Sequence, residues 1–263
     1  KRNRKTRAYT MKIYVIQRPN IDESAVSQFL RDEDLTWERT QDSKNGEEIV
    51  ELSGRVCYLS FGEKQSNRST SEYIENLITS GHESVLEHIY WTFLLTGVTR
   101  SFSHQLVRHR IGFSFSQLSQ QYYNNTNLQF VEPHGIEDKE LQLKWRDIEN
   151  NIASLYADLI DQLTYMAPET LNNKEKNRWI NTAARSILPN CTETKLSVTA
   201  NARAIRDLLY KRGGIQGDIE MRKFASALFS QIKKDAPSVF ADFSVKTSED
   251  GFPIVVNTKK QNF

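Results

Sequence analysis

Residues Gln105 to Tyr122 read QLVRHRIGFSFSQLSQQY and carry the chain's densest set of ligand-binding side chains. Three consecutive cationic or protonatable groups, Arg108, His109 and Arg110, precede a hydroxyl- and amide-rich run: Ser114, Ser116, Gln117, Ser119, Gln120 and Gln121. The run closes on Tyr122 and Tyr123. Guanidinium groups hold phosphates through charged, often bidentate hydrogen bonds, so the stretch is equipped for a phosphorylated, planar ligand. Residues two apart on an α-helix point about 200° from each other, so Arg108 and Arg110 on intact helix cannot serve one anion. Either they serve two ligands or the helix has ended between them. Gln105 and Arg108, at i and i+3, share a face.

A second set of candidates lies downstream. Asn201 is a good N-cap for a helix running to Arg212, and the first N–H groups of such a helix favour anions. Arg203, Arg206 and Arg212 ride on that helix and Arg185 on the one before. Neither GxGxxG nor GxxxxGK[ST] occurs, so a Rossmann or NTPase site is unsupported. His82 and His88 stand six apart beside Glu83 and Glu87, and His104 and His109 five apart. Neither pair has the i, i+4 spacing of helix-borne zinc ligands, and no metal site is expected. Cys57 is expected mid-helix and buried, and nothing local lowers the thiol pKa of Cys191, so neither reads as a nucleophile.

The elements that must position these groups alternate along the chain. Lys12 to Gln17 is a β-prone run ending near Pro19 and predicts a first strand. Asp22 to Arg31 and Glu47 to Leu59 have helical spacing, and Ser69 to Ser71 can cap a helix that Gly81 ends. Ser84 and Glu87 have capping-box spacing and predict a short helix. Ile89 to Leu95 is a continuous apolar run, expected as a strand buried on both faces. Thr99 to Ile111 is expected as a helix with Phe102, Leu106 and Ile111 inward, delivering Arg108 to Arg110 on its last turn. Phe113 to Asn127 is expected as an ordered ligand loop, with a short strand at Leu128 to Val131. Ile136 to Leu163 predicts a long helix whose apolar stripe includes Leu141, Leu143, Trp145, Ile148, Ile152, Leu155, Leu159 and Leu163. A further helix ends near Leu188, Thr192 to Thr199 alternates as a half-exposed strand, and Gly217 to Lys234 is a last amphipathic helix.

The sum is an α/β (α+β) fold, a mixed sheet with long helices, in a single domain over residues 11–263. Residues 1–10, basic and without apolar period, read as a disordered tail or a cloning remnant. With 263 residues, 38% hydrophobic content and a net charge of +2, the chain can bury a core and carries no global field for nucleic acid or membrane. No apolar run reaches the roughly 18 residues of a membrane span, and no signal peptide is evident, so a cytoplasmic location is expected. Two cysteines give no disulfide framework.

Arg108-His109-Arg110 with Ser119 downstream, preceded by Gly81-His82-Glu83-Ser84 and Glu87-His88 and followed by Asn201-Ala202-Arg203 and Arg212, resembles the flavin-dependent thymidylate synthases. The likeness runs from about Ser53 to Phe243. It implies a homotetramer with active sites between subunits, binding FAD, dUMP and 5,10-methylenetetrahydrofolate, with NADPH reducing the flavin. The product would be dTMP, formed without an enzymatic cysteine. By position, the resemblance assigns cofactor contacts to His82, Ser84, Arg108, His109, Arg110, Gln117, Asn201, Arg203 and Asp207. It assigns the nucleotide to Gln105, Arg108, Gln117, Ser119, Gln120, Gln121 and Tyr122, and to Arg185 from a different subunit. Arg212 matches the arginine that activates the uracil. Eight residues, Ile111 to Leu118, precede Ser119 where the family pattern has seven, and the extra one falls among Ile111 to Phe113. Gln121 stands where family members commonly carry an arginine on the dUMP phosphate, and the carboxylate of Asp207 does not reproduce an amide donor. Two alternatives follow from these departures. One is a flavin-dependent methylase of another pyrimidine nucleotide such as UMP; the other is an inactive nucleotide-binding relative, against which the retained Arg212 argues.

Overall fold

The computed structural model describes residues 10–123 and 128–259. The basic leader through residue 9 and the end of the expected ligand loop, 124–127, lie outside the described residues. Contacts group the chain into two compact units interleaved along the sequence. Among the described residues, one draws on 10–12, 94–108, 115–123 and 128–197, the other on 13–93, 109–114 and 198–259. Four strands, β1 (Lys12–Gln17), β2 (Tyr90–Thr99), β3 (Phe113–Gln117) and β4 (Glu193–Asn201), form a sheet in the order β1-β2-β4-β3. Each of these strands has residues in both units. The mixed α/β class expected from the sequence holds.

The second unit holds the larger aromatic core. Helices α1 (Glu23–Asp32), α2 (Asn45–Val56) and α3 (Thr70–Thr79) precede β2. Trp91 and Phe93 of β2 are fully buried, while Tyr90 remains 45% exposed, so the strand alternates and is not buried on both faces as expected. Apolar residues on both sides had masked its period of two. Trp91 packs on Phe240 and Phe93 on Phe224, with ring centres 6.0 and 6.2 Å apart.

Helix α7 (Ala202–Arg212) begins at Asn201, whose Oδ1 accepts from the Ala204 N–H at 2.8 Å. Helix α8 (Ile219–Ile232) buries Met221, Phe224, Ala225, Leu228 and Ile232 on one face, as its expected amphipathic character requires. A hairpin that the sequence reading passed over, β5 (Phe243–Thr247) and β6 (Pro253–Asn257), is locked to α7. The Arg206 guanidinium, buried, makes a bidentate pair with Asp242 at 2.6 and 2.8 Å, and the Val255 N–H donates to Gly213 C=O at 2.9 Å. Breaking such a buried pair typically costs about 3–5 kcal/mol, so the hairpin is part of what holds α7 in place.

In the first unit, α4 spans only Arg100–Leu106, with Thr99 as N-cap. It is shorter than the expected helix to Ile111: the Arg108 N–H already turns back to Gln105 C=O at 3.2 Å, an i to i−3 closure. Ile111, expected inward, is 91% exposed. The run Phe113–Gln117 is strand and not loop; its Phe/Ser alternation has the period of β-structure. At Leu128 to Val131 a single bridge, Phe130 to Thr192, forms instead of a strand. Helices α5 (Lys139–Met166) and α6 (Asn173–Ala184) pack around Leu128, Ala153, Tyr156 and Ala184. The inward face of α5 is Glu149, Ala153 and Tyr156, whereas Leu143, Ile148 and Leu155 of the expected inner stripe are 55–60% exposed. The long apolar pattern therefore covers two faces, one of them turned outward in the single chain.

Candidate functional site

In the second unit, His109 and Arg110 sit on a tight turn that closes from the Phe113 N–H to Arg110 C=O at 3.3 Å. Gly112, at the third position of that turn, has φ +73°. A Cβ there would stand 2.7 Å from Ala204 Cβ and 2.7 Å from Asn201 Nδ2. The Asn201 N–H also donates to Gly112 C=O at 3.1 Å, so the turn is stitched onto the start of α7. Ile111-Gly112-Phe113 thus forms a turn that a glycine makes possible.

The His109 ring lies 6.0 Å from that of Phe113, and its Nε2 is buried with no hydrogen-bond partner. Burial pushes the imidazole pKa down; Arg212 and Lys211 act in the same direction and Asp207 opposes them. His109 is thereby held neutral at physiological pH. Arg203, Asp207 and Lys211 follow one another a turn apart on α7. Asp207 pairs with Lys211 at 2.9 Å and Arg203 with Glu87 at 2.6 Å. Glu87 belongs to a 3-10 turn, Glu83–His88, joined to α7 by the Ala202 N–H to Ile89 C=O bond of 2.9 Å. His82 occupies the N-cap position of this turn and Ser84 lies within it, both exposed, but no side-chain cap forms, so the expected capping box is absent. Arg110 is exposed and Arg212 half-buried, and among the described residues neither has a carboxylate within ion-pairing distance.

A neutral imidazole with an unused buried nitrogen, two uncommitted guanidiniums and the start of a capped helix fit a flavin. Its ring offers hydrogen-bonding edges and its diphosphate carries negative charge.

In the first unit, the candidates divide by how far their polar groups are already used. Gln117 donates from Nε2 to Ser103 Oγ at 2.8 Å and to Thr194 Oγ1 at 3.2 Å, so its amide nitrogen is engaged inside the unit. Ser119 Oγ accepts from the Gln121 N–H at 3.2 Å, and Tyr123 N–H closes on Ser119 C=O at 3.1 Å, making a turn that carries Gln120, Gln121 and Tyr122. Gln121 is held against α6: its Nε2 donates to Thr182 Oγ1 at 3.1 Å and its C=O accepts from Asn181 Nδ2 at 2.9 Å. Arg108 is exposed just past α4, and Gln105 is half-buried on α4's last turn. Arg185 caps α6 close enough to Arg100 that, after burial, its charge is the next cause lowering the Arg100 pKa. Neither arginine has a carboxylate within ion-pairing distance among the described residues, so both charges are available to an anion. Nothing local in the sequence marks Arg100 as a site residue. The same holds for Arg178, whose guanidinium lies over Tyr122 with its carbon 5.9 Å from the ring centre.

Neither cysteine is equipped as a nucleophile. Burial, with Glu149 nearby, pushes the Cys191 thiol up to about 11. Cys57, expected mid-helix and buried, instead lies just past the end of α2 and is exposed. Among the described residues no three His, Cys, Asp or Glu side chains are grouped to hold a metal, and no helix is long and apolar enough to cross a membrane.

Fold and site together define a mixed α/β protein in which α6 and α7 each carry an arginine that meets no carboxylate among the described residues. Comparison makes this specific. The family described as thymidylate synthase complementing protein matches residues 40–238, and the chain belongs to that family. It is 36% identical over 235 residues to the flavin-dependent thymidylate synthase of Mycobacteroides abscessus, covering 89% of this chain and 93% of the relative. The same identity and coverage are found with the flavin-dependent thymidylate synthase of Mycobacterium tuberculosis, and 35% identity over 238 residues with that of Mycobacterium marinum.

Proposed function

We propose that this chain is an FAD-dependent thymidylate synthase that converts dUMP to dTMP with 5,10-methylenetetrahydrofolate as carbon donor and NADPH as reductant. The observation that carries this reading is that the family match, residues 40–238, contains every candidate residue from His82 to Arg212. Bound FAD would supply the hydride-transfer chemistry. The Arg212 guanidinium stabilises negative charge developing on the N3/O4 edge of the uracil. His109, neutral through burial and the neighbouring Arg212, offers the cofactor a hydrogen bond without adding charge. Arg108 and Arg185 bind the nucleotide, and Ser119, Gln120 and Tyr122 line its site. A Cys191 thiol at about 11 is a poor candidate for addition to the pyrimidine, in keeping with a cysteine-independent route.

The enzyme acts in the cytoplasm as a homotetramer with active sites between subunits. The outward apolar row of α5, with Leu141, Ile148 and Leu155 at i, i+7 and i+14, supports association.

Purified protein should be yellow and should release tritium from 5-tritiated dUMP when given methylenetetrahydrofolate and NADPH. Arg212→Ala should cost about 10²–10³ in kcat, as removal of a transition-state donor does. Colourless protein that takes up no FAD overturns the reading. Turnover of UMP in preference to dUMP replaces it with a methylase of another pyrimidine nucleotide.

A further inference from the structure

We propose that Arg178 contacts the phosphate of the bound nucleotide and stands in for the cation that position 121 lacks. This rests on the reading of the chain as a dUMP-binding enzyme. Gln121 carries no charge, and its side chain is turned onto α6, donating to Thr182 Oγ1 at 3.1 Å. Asn181, beside Thr182, holds the Gln121 carbonyl at 2.9 Å. On α6, positions 178, 181, 182 and 185 are spaced i, i+3, i+4 and i+7 and share one face. Arg178 and Arg185 therefore bracket, one turn to either side, the two residues that fasten the Gln121 segment. Arg178 itself reaches to that segment, lying over the Tyr122 ring at 5.9 Å.

A guanidinium resting on an aromatic face keeps its charge and leaves its N–H edge open to a second partner. Among the described residues no carboxylate neutralises Arg178, whereas Arg146 in the same unit is paired with Glu132 at 2.7 Å. The chemistry recognised is a phosphomonoester, and the uncharged nucleoside would gain nothing from it. Charged hydrogen bonds of this kind are worth about ten- to a hundredfold in affinity.

The test is titration of FAD-loaded protein with dUMP and with deoxyuridine. Arg178→Ala should raise the dUMP Kd about ten- to a hundredfold and flatten its dependence on salt, with FAD content and deoxyuridine binding unchanged. Arg178→Lys should recover part of the loss, and Gln121→Arg added to Arg178→Ala should recover most of it. An Arg178→Ala protein that binds dUMP with unaltered affinity and salt dependence overturns the proposal, as does equal weakening of dUMP and deoxyuridine. If the unsubstituted protein binds FAD but no dUMP, the dUMP reading fails first and the role of Arg178 falls with it. Normal dUMP binding with an indifferent Arg178 sinks this inference alone.

Discussion

Replacing Gly112 with alanine tests whether the turn carrying His109 and Arg110 is seated on α7 as described. At φ +73° a side chain costs about 1–2 kcal/mol for the left-handed backbone alone. The new Cβ would also stand 2.7 Å from Ala204 Cβ and 2.7 Å from Asn201 Nδ2, far inside van der Waals contact. Overpacking of that kind adds about 1–3 kcal/mol, for a total of about 2–5 kcal/mol. The structure offers one easy escape. The turn lifts off α7, breaking the 3.1 Å bond from the Asn201 N–H to Gly112 C=O and moving His109 and Arg110 with it. Strain released locally appears as lost cofactor affinity: 2 kcal/mol corresponds to about thirtyfold in Kd. FAD titration by fluorescence, alongside urea unfolding of the apoprotein, measures both quantities. Gly251→Ala is the control, because Gly251 has φ +77° but nothing within 4 Å of its missing Cβ. It should lose only the backbone cost and leave the FAD Kd unchanged. A Gly112→Ala protein matching wild type in both FAD affinity and unfolding midpoint refutes the reasoning.

Two further outcomes follow from buried titratable groups. Burial raises the pKa of Glu149 on α5, offset only in part by Trp145 and Arg146. A folded pKa above the unfolded value of about 4.5 gives stability that is full below that pH and lost as pH rises through the folded pKa. Glu149→Gln should therefore match wild type near pH 4 and unfold at a higher temperature near pH 8; parallel Tm profiles for the two proteins would contradict this. Iodoacetamide at pH 8 should modify exposed Cys57 in the folded protein and spare Cys191, whose thiol at about 11 is ionised in roughly one molecule per thousand. Peptide mapping that finds both labelled at similar rates would remove the case for a buried, inert Cys191.

What the sequence made legible depended on how far each signal was local. Helix α7 could be read from end to end, because Asn201 as cap, the apolar period and Gly213 are all contained in it. Helix α4 could not be bounded: nothing in Leu106 to Ile111 forbids helix, and the chain leaves it to place Gly112 against α7. The strand at Phe113–Gln117 and the hairpin at Phe243–Asn257 carry alternation and, in the second case, an Asp250-Gly251 turn, so both signals were available. The apolar stripe of α5 misled because periodicity reports that a face will be covered without saying by what. Likewise the residue types of the site were visible, but the commitment of Gln117 to Ser103 and of Gln121 to Thr182 depends on distances the sequence does not contain.

The arginines show where that distinction matters most. With 35 basic and 33 acidic side chains the chain is nearly neutral, which says nothing of how the charges are distributed among partners. Arg55, Arg206 and Arg222 are buried and paired with Glu51, Asp242 and Asp250. A buried arginine left alone would be prohibitively costly, so these are structural cations, unavailable to a ligand. Arg108, Arg110, Arg178, Arg185 and Arg212 are exposed or half-buried and, among the described residues, meet no carboxylate. They remain hydrated in the isolated chain, so an arriving phosphate or developing oxyanion competes only with water. Arg203 lies between the classes, held by Glu87 at 2.6 Å with both side chains nearly half exposed. An ion pair in that setting is worth about 0–1 kcal/mol, and a ligand phosphate offers a guanidinium more than that. The Glu87 contact therefore orients Arg203 without withholding it. Arg206, one turn along the same helix and also weighed from sequence as a ligand contact, is withheld by Asp242.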